Sequence, residues 1–166
     1  ELSKDDTPDV KPILDAINRI QEHSWVLSLQ PTSPFRSVHD INGIIEFTFE
    51  KEAKSAVSVC KSGKHPAWMF QVEQNQKMTP FLKGPMELCR QELNQAFILN
   101  GCLYFDEWNY LNKIENYISE ETIAYEMPVE RSLDIDSMID WQYAQYLASN
   151  KKVHKENTNE KWVPKR

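Results

Sequence analysis

The strongest constraint on this chain is the alternation in its first sixty residues. Val10, Ile13, Leu14, Ile17 and Ile20 recur at helical spacing after Thr7-Pro8, a capping residue followed by a proline suited to a first helical turn. "SWVLSL" (24–29) is a short apolar run of the kind that forms a buried strand. Residues 30–37 form a loop punctuated by two prolines. A second amphipathic helix is predicted over 38–52, with Ile41, Ile44, Ile45 and Phe47 inward, and "SAVSVC" (55–60) is a second strand. Helix, strand, helix, strand implies an α/β layered fold built on parallel strands.

Beyond residue 60 the pattern is less regular. "KSGKHPAW" reads as a loop and "MFQVEQNQKMTPFL" as a hairpin or an excursion from the sheet. Strands are predicted at 102–106 and 122–127, with a short helix, "EWNYLNKI", between them. A closing helix is predicted over 137–149, with Met138, Trp141, Ala144 and Leu147 on its apolar face. The body, 1–149, is one domain by size. Residues 150–166 carry six Lys/Arg against two Glu and read as a basic, flexible tail. That +4 tail leaves −10 on the body of a chain whose total is −6, a poor surface for nucleic acid. No run is long and apolar enough to span a membrane. Cys60, Cys89 and Cys102 are an odd number without CxxC spacing, which points to a reducing, cytoplasmic setting rather than to disulfides or a zinc site.

Asp134 and Asp136 in "RSLDIDSMIDW" are the most chemically suggestive pair. In an extended segment residues i and i+2 share a side, so two hard oxygen donors can converge as Mg²⁺ prefers. The competing reading is helix capping: Ser137 and Asp140 fit a capping box, and Asp136 can favour the helix N-terminus by its charge. Gln30, Thr32, Ser33 and Arg36 offer donors in a loop after a strand, where open α/β sheets bind ligands. Arg90 can clamp an anion or pair with Glu87 or Glu92 on the surface. His65, before Pro66, has no nucleophile pattern around it and reads as structural. Four glycines form no phosphate-cradling loop.

Taken in order, "LQPTSPFR", "SAVSV", "HP", "RQEL", "NGCLYF", "YEMPVERSLDID" and "DW" resemble the acylneuraminate cytidylyltransferases, the CMP-sialic acid synthetases and their relatives, over about residues 1–149. The resemblance implies a three-layer, Rossmann-like α/β nucleotidyltransferase fold and a homodimer whose partner reaches across the active site. It implies transfer of CMP from CTP to the anomeric hydroxyl of an acidic nine-carbon 2-keto sugar, with release of pyrophosphate. It places the metal pair, with Mg²⁺ as cofactor, on Asp134 and Asp136. Gln30 matches a glutamine facing the sugar, Arg90 an arginine near the substrate, Asn100 and Gly101 the "NG" that shapes the pocket, and Tyr104 a tyrosine lining it. Tyr117 and Ile118 stand where an aromatic pair meets the sugar's acyl group. Two departures bear on the substrate. Ile98 and Trp68 occupy positions that are basic in some sialic acid enzymes, so legionaminic, pseudaminic or a related acid is as well matched as N-acetylneuraminate.

The family's opening strand and triphosphate-gripping loop have no counterpart here. "ELSKDDT" resembles a segment that follows them, so 1–149 is expected to be the C-terminal two-thirds of such a domain, incomplete at its N-terminus and weak in CTP binding by itself. Two other readings remain: a catalytically inactive relative that binds a sugar or a protein, and an activator of the eight-carbon octulosonate, which the motif order disfavours.

Overall fold

The computed structural model describes residues 8, 10–20, 24–82 and 93–149. Its elements in chain order are α1 (Val10–Asn18), β1 (Trp25–Leu29), α2 (Val38–Glu50), β2 (Ser55–Lys61), β3 (Phe70–Val72), β4 (Met78–Pro80), β5 (Phe97–Glu107), α3 (Trp108–Ile114), β6 (Ile123–Glu126) and α4 (Met138–Ser149). Single 3₁₀ turns stand at Pro66–Trp68 and Val129–Arg131.

Among the described residues four strands make the main sheet in the order β1-β5-β2-β6, and β3 and β4 pair as a separate hairpin. β5 runs antiparallel to both β1 and β2, whereas β2 and β6 are parallel. The sheet is therefore mixed, a correction to the all-parallel expectation. β1 and β2 do share a direction, but β5 lies between them. Helix–strand alternation reports the direction of successive strands, not their lateral neighbours, and β5 arrives from the hairpin excursion rather than from a crossover helix.

Helices cover both faces. On one, Ile44 of α2 packs with Ala56, Leu103, Phe105 and Met127, flanked by Trp25, Leu27, Ile41 and Ile45. On the other, Val10 and Leu14 of α1 and Leu111 of α3 pack on Val26. β2 is buried from Ser55 to Cys60, as its continuous apolar run predicts for a strand covered on both faces.

Three expectations change. α1 stops at Asn18, and Ile20 lies 60% exposed. β5 is eleven residues long, not five, because it continues through Asn100-Gly101, a pair that reads locally as a turn. On α4 only Ala144 is buried among the four residues assigned to an inward face, and Met138 and Trp141 are 69% and 48% exposed. The expected tail, 150–166, lies outside the described residues, as do Thr7, Cys89 and Arg90.

Candidate functional site

The carboxyl ends of β1, β2 and β6 point to one edge of the sheet, together with the amino-terminal half of β5. Open α/β sheets bind ligands outside such ends. The chain is irregular here. Val57 pairs with Tyr104 and Val59 with Leu99, so two steps on β2 span five on β5, leaving three extra residues in a bulge opposite Ser58. Ser58 and Asn100 close it with side chains. Ser58 Oγ donates to Asn100 Oδ1 at 2.6 Å and accepts from Leu103 N at 2.8 Å, while Cys102 N donates to Asn100 Oδ1 at 3.2 Å.

At the bulge Gly101 has φ +66°, a left-handed conformation that costs a side-chain-bearing residue strain. Space is the second constraint. A Cβ there would lie 2.5 Å from Gln30 Oε1 and 2.9 Å from Asp134 Oδ2. Gln30, Gly101 and Asp134, from the loop after β1, from β5 and from the segment after β6, therefore meet at one point. Of the residues singled out from sequence, these three are brought together. Asn100 is 4% exposed with its amide consumed internally, Nδ2 donating to Ser132 Oγ at 2.8 Å. It shapes the bulge and tethers the next segment.

Both walls are firmly held. Arg36 Nη1 donates to Gln30 O at 2.5 Å and to Ser33 O at 2.8 Å, which curls the post-β1 loop. Ser37 then caps α2 in a capping box with Asp40. Asp40, 1% exposed, also receives Arg131 in two-pronged fashion, Nε at 2.7 Å and Nη2 at 2.8 Å. Burial alone would raise the Asp40 pKa, but the hydrogen bonds from Arg131 and Ser37 outweigh it and hold it below the usual carboxylate range. A backbone bond, Ile135 N to Thr32 O at 2.9 Å, joins the walls directly. Cys102 sits beneath, fully buried. Burial keeps its thiol above the ordinary range although the nearby Arg36 pulls the other way, which suits a core residue rather than a nucleophile.

The two aspartates stand in different surroundings. Ser137 and Asp140 cap α4, Ser137 N and Oγ donating to Asp140 Oδ2 at 2.8 and 2.6 Å, and Asp136 N donates to the same oxygen at 3.3 Å. The carboxylate of Asp136 is exposed and takes no part in that cap. Asp134 Oδ1 is buried and has no hydrogen-bond partner among the described residues. A buried carboxylate oxygen left unpaired is costly unless something binds it. Among the described residues no three His, Cys, Asp or Glu gather as a metal cage. Two oxygen donors, one with an orphaned atom, fit a hard divalent cation that completes its shell with water and phosphate.

Tyr104 and Tyr117 pack with ring centroids 4.4 Å apart and planes tilted by 33°, and Tyr117 Oη lies 3.1 Å from Ser28 Oγ. They form a pair deeper along β5. His65 accepts from Ala67 N and so caps the 3₁₀ turn, in keeping with its structural reading. With Trp68, Ser62 and residues 93–96 it lines a cavity of about 210 Å³. Sequence reasoning missed Asp40, Arg131 and Ser58. The Ser37–Asp40 spacing is a visible capping signal, but nothing local announces that Arg131 completes it.

Curated relatives match most of the chain's length. The CMP-N,N'-diacetyllegionaminic acid synthase of Legionella pneumophila is 29% identical over 153 residues, covering 89% of this chain and 65% of its own. The chain resembles the acylneuraminate cytidylyltransferases. Two proteins of that name, from Streptococcus agalactiae and Escherichia coli, are 24% and 26% identical over 85% and 93% of this chain. The chain spans about two thirds of the Legionella relative and only 34% and 37% of the other two. No family model matches it.

Proposed function

We propose that this chain carries the sugar- and metal-facing part of a cytidylyltransferase with a Rossmann-like nucleotidyltransferase fold, acting on CTP and an acidic nine-carbon 2-keto sugar. The observation that carries the reading is the meeting of Gln30, Gly101 and Asp134 at the carboxyl edge of the sheet, at positions where the resemblance puts sugar and metal contacts. In the reaction the anomeric oxygen attacks the α-phosphorus of CTP. The bond from that phosphorus to the bridging oxygen of the β-phosphate breaks, pyrophosphate departs with the electron pair, and the hydroxyl proton passes to solvent. Such chemistry needs alignment and charge neutralisation more than covalent help from the protein. Mg²⁺ held by Asp134 and Asp136 would neutralise phosphate charge and make the hydroxyl more acidic.

The chain's own residues supply position. Gln30 offers an amide to the sugar, with its loop locked by Arg36. Gly101 provides the gap that lets Gln30 and Asp134 approach, and Tyr104 with Tyr117 forms a semi-rigid aromatic wall. Arg90 is assigned to the substrate carboxylate by the resemblance alone. Trp68 and Ile98, where cations stand in some sialic acid enzymes, leave legionaminic, pseudaminic or a related acid as good a substrate as N-acetylneuraminate. The assembly is a homodimer, for which the β3–β4 hairpin, with Val72 and Met78 62% and 56% exposed, offers an apolar surface.

The test is pyrophosphate release by the full-length protein, with CTP, Mg²⁺ and a panel of nonulosonic acids, beside Asp134→Asn/Asp136→Asn. Release with one sugar that disappears in the variant supports the chemistry and names the substrate. Folded protein that releases none with any sugar refutes it.

A further inference from the structure

One carboxylate ties both walls of the site together. Asp40 takes two bonds from Arg131 and two from Ser37, at 2.9 Å from N and 2.7 Å from Oγ. The α2 cap needs only the Ser37 bonds, so Arg131 adds nothing that the helix requires. It reaches across 91 residues of sequence and stands three positions before Asp134. The next residue, Ser132, is held by Asn100 Nδ2 at 2.8 Å and bonds Pro128 O at 2.8 Å. Two consecutive residues are thus pinned immediately before the aspartates. A planar guanidinium bound through two nitrogens fixes direction as well as distance, which a lysine cannot do. A buried ion pair contributes little net stability, and its best-attested use is to set register.

We propose that Arg131, anchored on Asp40, is the positioning residue for the Asp134–Asp136 pair, so that divalent-cation affinity depends on a side chain that touches no metal. This rests on reading those aspartates as metal ligands. Groups that orient ligands typically affect metal affinity by about 10–100-fold.

The experiment is the Mn²⁺ dissociation constant of the full-length protein by electron paramagnetic resonance, with thermal unfolding recorded alongside. Arg131→Lys keeps the charge and loses the fork. Asp40→Asn/Arg131→Gln removes both charges together and so leaves no unpaired ion if the lysine variant fails to fold. Ile44→Val, in α2 but away from the site, matches a modest loss of stability. The expected result is at least tenfold weaker Mn²⁺ binding in the Arg131 variants, with Ile44→Val unchanged and Asp134→Asn/Asp136→Asn abolishing binding. Wild-type affinity in folded Arg131 variants, or a loss no larger than that of Ile44→Val, overturns the positioning role. Wild-type affinity in the double aspartate variant instead overturns the metal reading beneath it.

Discussion

Replacing Gly101 with alanine tests the site at its narrowest point. Two costs add. The backbone at φ +66° is left-handed, which an alanine adopts at about 1–2 kcal/mol. The new methyl would also lie 2.5 Å from Gln30 Oε1 and 2.9 Å from Asp134 Oδ2, both ends of movable side chains. Those side chains can swing away, so the steric conflict falls on site geometry more than on stability. For a chain of this size about 1–2 kcal/mol corresponds to a Tm lower by about 2–8 °C. A displacement near 1 Å of a positioning group can cost about 100-fold in rate. Differential scanning calorimetry and pyrophosphate release with the full-length protein measure the two effects separately. Gly101→Asn sharpens the comparison. Asparagine tolerates the left-handed region better, so it should recover part of the Tm loss, yet its larger side chain should leave the catalytic defect as deep or deeper. An alanine variant with wild-type Tm and turnover would refute both the strain and the convergence.

Three further outcomes are expected. Asp106 is 1% exposed, among the described residues neither oxygen has a hydrogen-bond partner (Ser55, opposite it, bonds Thr122 at 3.1 Å), and burial, only weakly opposed by the nearby Ser55, pushes its pKa up to about 7. Because the folded value is raised, the contribution is fully present below about pH 4 and is lost as pH rises toward 7. Asp106→Asn should therefore be more stable than wild type at pH 8, by about 2–4 kcal/mol at most, with the difference closing near pH 4 in urea titrations. Arg131→Met leaves Asp40 buried and unpaired, at about 3–5 kcal/mol at pH 7. Since pairing lowers the Asp40 pKa, that deficit should shrink as pH falls below about 4, and a pH-independent deficit in the same titrations would contradict the assignment. Ser58→Ala leaves Leu103 N and Asn100 Oδ1 each short of a partner in the bulge, for about 1–3 kcal/mol by chemical denaturation, whereas the surface variant Arg19→Ala should change stability by less than about 1 kcal/mol.

The alternation of helices and strands, the hairpin at 70–80 and the capping box at 137–140 were legible in the residues, because each is specified within one or two turns of chain. The likeness to the cytidylyltransferases was legible for another reason: a sequence of short motifs survives in order even where each is weak. Asn100-Gly101 shows where local logic fails. By composition it marks a turn, yet β5 runs through it as a bulge, since Ser58 on a neighbouring strand supplies the bonds that a regular ladder would have made. α4 shows the opposite failure, an apolar pattern with the right period whose Met138 and Trp141 stay exposed.

By itself, then, the sequence determined the type of most segments and the likeness to the cytidylyltransferases, through periodicity, capping and motif order that act over a few residues. Only the tertiary structure decided that β5 divides β1 from β2, that Gln30 and Asp134 meet over a missing Cβ, and that Asp40 holds Arg131 from 91 residues away. Those arrangements depend on which strand edges pair and how far separated side chains fill shared space, and no local propensity encodes either.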